Sequence, residues 1–255
     1  MKFMISAKTD VGLTKRTNQD SMTVKVIHTR QGEMAFAIVC DGMGGLQKGE
    51  VASATVIRAF ERWVYQELPL LCKDLITDEK IREQWEKIIF EQNEVMKAYG
   101  TRCGIRLGTT VVAMLFTQER YYLLNVGDSR AYELTKNVCQ LTKDQTFVAR
   151  EVELGNMTQE QAKQDPRRNV LLQCVGASEE VYPDFFFGKV KENAVYLLCS
   201  DGFRHEISAE EIYEKLNPQV LWEDDAMQKN SMELIALNKA RQERDNISVV
   251  LIRTL

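Results

Sequence analysis

Short apolar runs and alternating segments along the chain predict a series of β-strands. Residues 35–40 (AFAIVC) are continuously apolar, which is typical of a strand buried on both faces. Residues 3–7 and 21–27 alternate between apolar and polar positions, as a half-buried strand does. Further segments of strand character are bounded by turn residues, and they cover 109–116, 121–126, 131–134, 182–187, 194–199 and 247–252.

A four-residue period replaces the strand pattern from Glu50 onward. Apolar side chains then fall on one helical face and predict an amphipathic helix, closed by Pro69: Val56, Phe60, Val64 and Leu68. A second helix is predicted from about Asp78, an N-cap candidate, with a set of inward-facing side chains: Ile81, Trp85, Ile88, Val95 and Tyr99. Later helices are predicted over 208–216 and about 222–241.

The order of these elements predicts the fold class. Strands follow one another across turns while helices come in pairs, which favours antiparallel sheets with helices packed outside over a βαβ doubly wound sheet. Residues from about 145 to 176 are polar and irregular, apart from a short helical piece near 158–164, and predict a functional surface flap. With no linker-like stretch and no internal repeat, we expect residues 1–255 to form a single domain.

Composition narrows the classes of function. A net charge of -4 argues against a nucleic-acid binder, which usually carries a basic stripe. No segment approaches the roughly 20 apolar residues that cross a bilayer, and the N-terminus turns polar too early for a signal peptide. The six cysteines are scattered without a CxxC pair, so we expect buried thiols such as Cys40 and Cys199 in a reducing cytoplasm rather than disulfides.

Aspartates at the ends of predicted strands are the main candidates for functional residues. Asp41 and Asp201 each follow an apolar run and precede a glycine, Asp20 precedes a strand, and Asp245 lies just before the last strand. A single Asp-Gly pair is a common turn signal. Several carboxylates converging on one cleft would instead repel one another unless cations neutralised them, and hard divalent ions such as Mg²⁺ or Mn²⁺ prefer such oxygen ligands. The run DGMGG lacks the ending of a phosphate-binding P-loop.

An ordered set of motifs extends this pattern over nearly the whole chain. The motifs are, in order, TDVGLTKRTNQDS, VCDGMGGLQKGEVAS, LGTTVV, LLNVGDSRAY, LTKDQT, RRNVLLQCVG, LLCSDGF and RDNISVVLI. With these motifs the chain resembles the metal-dependent protein phosphatases of type 2C, in their compact bacterial form. The resemblance implies an α+β fold, a four-layer αββα sandwich with two antiparallel sheets between helix pairs.

The resemblance also implies a site for two divalent metals, Mn²⁺ or Mg²⁺. In it, Asp41 would bridge both metals and the Gly42 carbonyl would bind one of them. Asp201 and Asp245 would hold the other metal, with Asn246 orienting Asp245. Asp20 would contact metal-bound water.

Asp128 matches a residue that, together with Asp201, can hold a weaker third metal, and it reads equally well as a turn aspartate. The bridging water, activated by the two metals, would attack phosphorus directly, without a phosphoenzyme. The expected substrates are phosphoserine and phosphothreonine proteins, the targets of a eukaryotic-like Ser/Thr kinase. We expect a cytoplasmic monomer that binds neither nucleic acid nor membrane.

Three departures from the family pattern concern the catalytic groups. Lys15 stands at the arginine position that grips phosphate, so either Lys15 substitutes or Arg16 shifts in, and both also read as surface charges. Met43 replaces a proton-donating histidine of many animal and plant relatives, as in the bacterial branch. Histidines frequent in bacterial relatives are absent at three positions, which we expect to tune activity: Leu46, Gln145 and Asp165. His28 and His205 read as surface or supporting residues.

Three alternative functions remain open from the sequence. The first is a regulatory binding protein with the phosphatase fold and weak or no turnover, which the Lys15 substitution supports. The second is a phosphatase dedicated to an anti-sigma-factor-type partner. The third, a structural metal-binding protein, leaves the cation beside the acidic cluster unexplained.

Overall fold

The computed structural model describes residues 1–43 and 48–255, and their strands form two five-stranded antiparallel sheets. The first sheet has the order β1 (Phe3–Asp10), β10 (Ile247–Thr254), β9 (Val195–Cys199), β6 (Arg130–Leu134) and β7 (Val138–Gln140). The second has the order β2 (Ser21–Thr29), β3 (Gly32–Cys40), β4 (Val111–Phe116), β5 (Arg120–Val126) and β8 (Asp184–Lys189). Gly44, Gly45 and Leu46, named in the sequence motifs, lie outside the described residues.

The two sheets pack face to face, and β3 shows why its sequence is continuously apolar. Ala35, Ala37 and Val39 point into the core between the sheets, where they meet residues of the other sheet such as Val250. The alternate side chains Phe36 and Ile38 point the other way, into the core beneath the helices. Because successive side chains of a strand face opposite sides, a strand covered on both faces needs apolar residues at every position.

Helices cover the outer face of each sheet. The second sheet carries α1 (Gly49–Gln66), α2 (Leu68–Leu71) and α3 (Asp78–Cys103), which bury a cluster of aromatic rings from β3, α1 and α3: Phe36, Phe60, Trp63 and Trp85. The first sheet carries α6 (Asp201–Arg204), α7 (Ala209–Leu216) and α8 (Asp224–Ala240). The four-layer αββα sandwich predicted from the sequence is confirmed.

Several predicted helix boundaries were wrong by a few residues. Pro69 does not close α1, which ends at Gln66, but lies within the first turn of α2, where a missing N–H costs nothing. Thr77, not Asp78, caps α3 and accepts a hydrogen bond from the Lys80 N–H. Val95 is exposed rather than inward-facing. Trp222 precedes α8, which begins at Asp224.

The excursion between β7 and β8 contains more helix than its sequence predicts. Besides α5 (Gln159–Gln164), it forms α4 (Phe147–Glu153), which begins after the Thr146 cap. Its two ends are anchored: Gln145 N–H donates to the Gly127 carbonyl, and Thr109 exchanges two backbone hydrogen bonds of 3.0 Å with Val175. The excursion is therefore tied to the strand ends near residues 109 and 127.

The structure confirms that Cys40 and Cys199 are buried thiols, as the sequence predicts. All six cysteines are free thiols, and Cys40 and Cys199 are fully buried. In the part of the chain that the structure describes, no helix is long and apolar enough to cross a membrane.

Candidate active site

Strand register brings the predicted aspartates to one edge of the sandwich. In the second sheet, β3 ends where β2 and β4 begin, so Asp41 lies beside Asp20, which directly precedes β2. In the first sheet, β9 ends where β10 and β6 begin, because Val249 and Arg130 both pair with Cys199. This register places the remaining three carboxylates at the same end of that sheet: Asp128, Asp201 and Asp245. We call this edge of the sandwich, with its five carboxylates Asp20, Asp41, Asp128, Asp201 and Asp245, the aspartate edge.

Hydrogen bonds with Thr109 and Thr110 hold the backbone of Asp41, and the carboxyl group of Asp41 takes no part in them. Its carbonyl accepts from Thr110 N–H and from Thr109 Oγ1, each at 2.9 Å, and its own N–H donates to Thr110 Oγ1 at 3.0 Å. Thr110 Oγ1 also bonds Ser129 Oγ across 2.7 Å. The two threonines of the LGTTVV motif thus hold the backbone of Asp41, a role that the sequence analysis did not assign.

Gly42 occupies a position where no side chain fits. A Cβ there would lie 2.4 Å from the Gly49 carbonyl oxygen and 2.5 Å from that of Gln19. Its N–H donates to the same Gln19 carbonyl at 3.2 Å. Gly42 therefore lets the turn after β3 pack against both the loop before β2 and the start of α1.

The carboxylates strongly perturb one another. Burial, together with Asp20 and Asp201, raises the pKa of Asp41 well above its ordinary value. Burial and the nearby Asp201 and Asp245 raise the pKa of Asp20 to about 7. Burial and Asp201 likewise raise the pKa of Asp128 to about 7. Several negative charges in one poorly hydrated place require a positive partner.

Several carboxylate oxygens at this edge lack a hydrogen-bond partner among the described residues. Both oxygens of Asp20 and Oδ1 of Asp201 are buried without a hydrogen-bond partner among the described residues. The hydroxyls of Ser248 and Ser200 lie close enough to Asp20 to lower its pKa, but they do not offset the burial that raises it.

Across residues 1–43 and 48–255, no three Asp, Glu, His or Cys side chains converge tightly enough to hold a metal ion as they stand. The fit therefore rests on the orphaned oxygens and on the all-oxygen donor chemistry, which suits Mg²⁺ or Mn²⁺.

The ammonium of Lys15 lies among the carboxylates at the Asp245 side of this edge. Its Nζ lies 2.7 Å from Asp245 Oδ1, and Asp41 and Asp201 also act on its charge. The loop that carries Lys15 is docked on the segment before β10: a Cβ on Gly12 would lie 2.2 Å from the Asp245 carbonyl oxygen, and its φ is +76°. Arg16, the other phosphate-gripping candidate, is exposed.

Asn246 joins this loop to Asp245. Its Oδ1 accepts from Gln19 N–H at 2.8 Å, and its Nδ2 donates to the Val11 carbonyl at 2.8 Å. Its backbone N–H donates to Asp245 Oδ1, also at 2.8 Å. Asn246 therefore orients Asp245 through its backbone, while its side chain holds the loop between β1 and β2.

Two arginines surround the Asp128 end of the edge. Arg130 makes a paired hydrogen bond to Asp144, with distances of 2.7 and 2.6 Å. Arg204 Nη2 donates to the Asp128 carbonyl oxygen at 3.1 Å and lies 3.7 Å from Asp128 Oδ2. Arg204 received no role from the sequence, since a lone arginine after LLCSDGF carries no recognisable signal.

The remaining candidates divide between the edge and the periphery. His205 lies between Asp201 and Glu243, 3.4 and 3.2 Å from their carboxylates, as a supporting residue. His28 is exposed on β2. Gln145 is a structural amide, which accepts from Gly127 N–H at 2.7 Å. Asp165 bonds Arg167 within the excursion.

The chain is similar to known proteins over most of its length. The protein phosphatase 2C family model matches residues 14–234. The chain is 30% identical over 248 residues to the serine/threonine phosphatase stp of Listeria innocua, covering 96% of this chain and 93% of that protein.

Solved structures superpose over nearly the full length. The S. agalactiae serine/threonine phosphatase matches with a TM-score of 0.85 and 27% identity, covering 100% of both chains. The catalytic domain of the phosphatase PstP, in complex with 2 manganese ions, matches with a TM-score of 0.77 and 29% identity, covering 98% of this chain and 97% of that one. The aspartate edge thus lies in a chain that belongs to the protein phosphatase 2C family of serine/threonine protein phosphatases.

Proposed function

We propose that the chain is a divalent-metal-dependent phosphatase of phosphoserine and phosphothreonine proteins, in which water attacks the phosphomonoester directly and no phosphoenzyme forms. Residues 1–255 act as one catalytic domain, with a flap at about 145–176. When two Mn²⁺ or Mg²⁺ ions are bound, they acidify a water molecule and offset charge on the phosphoryl oxygens. The observation that carries the proposal is the ammonium of Lys15, which lies among the carboxylates of the aspartate edge.

The metal-holding roles are assigned to the strand-end aspartates. Asp41 would bind both cations and the Gly42 carbonyl would contribute to one of them, while Asp201 and Asp245 would hold the other. Asp20 acts through water, and its two oxygens without partners among the described residues support that role. The manganese ions of the PstP structure support the choice of cation.

Lys15 binds the phosphate of the substrate in this proposal. Its Nζ lies 2.7 Å from Asp245 Oδ1, whereas Arg16 in the same loop is exposed. A lysine ammonium is a point charge without the planar fork of arginine, so it attracts the phosphoryl oxygens without fixing their orientation. Orientation then depends on the bound cations and on the edge itself.

The substrate class follows from the family and from the names of the relatives, which are serine/threonine phosphatases. We propose targets of a eukaryotic-like Ser/Thr kinase in the cytoplasm, and action as a monomer. The excursion at 145–176 is tied by backbone hydrogen bonds to Thr109, next to the Asp41 turn, and this attachment supports a role in contacting a protein substrate.

The test is hydrolysis of an aryl phosphate and a phosphothreonine peptide by the full chain, titrated with Mn²⁺ and with Mg²⁺. We expect turnover that needs metal and that falls more than about a hundredfold in Asp41→Asn, because a lost ligand costs more than a lost outer-shell partner. Lys15→Ala should raise KM for both substrates. Matched controls are Asp224→Asn and Lys229→Ala, two exposed positions on α8 that should change neither value.

Opposite outcomes would redirect the assignment. Folded protein that binds Mn²⁺ but turns over neither substrate would refute the enzyme and favour a regulatory binding protein of the same fold. Lys15→Ala with unchanged KM, beside an Arg16→Ala variant with raised KM, would transfer the phosphate contact to Arg16.

A further inference from the structure

Arg204 is a nearly buried cation at one end of the aspartate edge. Its helix α6 begins at Asp201, and three positions along a helical turn bring Arg204 onto the same face as that residue. Only 12% of its side chain is exposed. The position is therefore determined by the strand end that also places Asp201.

Two contacts hold the guanidinium against Asp128. Nη2 donates to the Asp128 carbonyl oxygen at 3.1 Å and lies 3.7 Å from Asp128 Oδ2. The same Nη2 lies 3.6 Å from Asp144 Oδ2. A group held by a backbone carbonyl and two carboxylates cannot move away without leaving buried charges unpaired.

Arg204 is the ion-pair partner of Asp128, whereas the main partner of Asp144 is Arg130. Asp144 is already matched by Arg130, which forms the shorter, two-point contact at 2.7 and 2.6 Å. Among the described residues, Arg204 is the arginine or lysine that ion-pairs with Asp128. Arginine remains protonated at all relevant pH values, so this positive charge is permanent.

We propose that Arg204 acts as a built-in cation at Asp128, so that the chain excludes a third divalent ion there and holds two. A divalent ion bound to the Asp128 carboxylate would lie close to the guanidinium, and the repulsion would oppose its binding. The inference rests on the proposed function, because it presupposes the two-ion site at Asp41, Asp201 and Asp245. Arg204 is a positioning residue, since it acts through Asp128.

The experiment counts Mn²⁺ ions bound per full-length chain by equilibrium dialysis with elemental analysis. We expect two ions in the unmodified chain. Arg204→Gln keeps an amide donor but removes the charge, and it should gain a third ion with an affinity at least about tenfold above any third binding in the unmodified chain, which corresponds to about 1.4 kcal/mol of relieved repulsion. Arg204→Lys keeps the charge and should stay at two.

Further variants separate this gain from general effects. Adding Asp128→Asn to Arg204→Gln should return the count to two, since the gained ion needs that carboxylate. Arg241→Gln, which removes an arginine paired with Glu211 and not with Asp128, should leave two. Loss of folding cannot raise the count, so the gained ion is a readout that a merely structural role of Arg204 would not produce.

The outcomes that refute the inference differ from those that refute the function. Three ions in the unmodified chain, or two in a folded Arg204→Gln variant, overturn the role of Arg204 alone. If Arg204→Gln does not fold, a third ion in the unmodified chain or in Arg204→Lys still overturns the inference. An unmodified chain that binds no Mn²⁺ overturns the proposed metal site together with this inference.

Discussion

At the aspartate edge, some residues fix the position of the backbone and others provide the acidic side chains. Thr109 and Thr110 hold the peptide groups of Asp41, so the carboxyl does not need to anchor itself. Gly42 continues the turn through a gap that admits only backbone. The position of the acidic group is thus fixed by neighbours that never need to touch a ligand, and the reactivity of the edge depends on close packing as much as on charge.

Gly42→Ala should therefore damage both stability and turnover. A methyl group would meet carbonyl oxygens at 2.4 and 2.5 Å, so the turn must shift, at a cost of about 1–3 kcal/mol in the free energy of unfolding. Because the shift displaces Asp41, phosphatase activity should fall by a larger factor than the folded fraction does. Urea unfolding and assays of the folded fraction measure the two effects.

Gly104→Ala is the matched control for Gly42→Ala. Gly104 has φ of +66°, but nothing lies within 4 Å of an added Cβ. Its cost should be about 1 kcal/mol of backbone strain, without loss of activity in the folded protein. Equal behaviour of the two variants would show that crowding at Gly42 has no functional role.

Elements meet at the edge through the loop between β1 and β2. Asp10, the last residue of β1, accepts from Gly12 N–H at 2.8 Å and from Lys239 Nζ of α8 at 2.9 and 3.0 Å. Burial alone would raise the pKa of Asp10, but Lys239 and the Gly12 N–H outweigh it and hold the pKa below its ordinary value. This ion pair thus ties β1 and α8 to the loop that presents Lys15.

The lowered pKa of Asp10 predicts a pH-dependent stabilisation. A carboxyl with a depressed folded-state pKa contributes stability above its ordinary value of 3.8, and loses it as the pH falls through the lower folded-state value. We expect Asp10→Asn to cost about 1 kcal/mol at neutral pH, as the pair is only partly buried. The difference from the unmodified chain should shrink below about pH 4, as measured by urea unfolding across that range. A difference independent of pH would mean that the ion pair contributes nothing.

The sequence predicts where strands end, but it does not predict the contacts that loops make with distant residues. Apolar runs such as residues 35–40 mark a strand and its end within a residue or two, and the Asp41 turn follows directly. The helix α4 was missed because its seven residues bury only Val148, too little for a periodic signal. The contact of Arg204 with Asp128 joins residues 76 positions apart. No local pattern encodes such a pair, because it depends on how two strands of the first sheet align.

The whole molecule is held together by the core between the two sheets. Phe116 of the second sheet packs on Tyr196 of the first, with ring centroids 4.8 Å apart, and also contacts Phe3. Since the aspartates come from both sheets, the alignment of the sandwich sets the alignment of the edge. The two halves should consequently unfold as one unit.

Phe116→Ala tests this coupling. Removing a fully buried ring should cost about 3–5 kcal/mol in the free energy of unfolding. Unfolding followed by the fluorescence of Trp63 and Trp85, both over the second sheet, should coincide with unfolding followed by circular dichroism of the whole chain. Tyr65→Ala, an exposed position on α1, should change stability by less than about 0.5 kcal/mol. Two separate transitions would show that the sheets belong to independent units.

The pairing of β1 with β10 has a consequence for how the protein is made. In the first sheet, β10 lies between β1 and β9, and Asp245 and Asn246 directly precede it. During synthesis, β1 emerges from the ribosome more than 200 residues before its partner strand, so it has no neighbour on which to pair. Lys15 and Asp41 are likewise synthesised long before Asp245, which lies beside Lys15 in the folded protein. Under the proposed function, we expect a partly synthesised chain to lack the complete site and to be inactive until residues 245–254 have emerged.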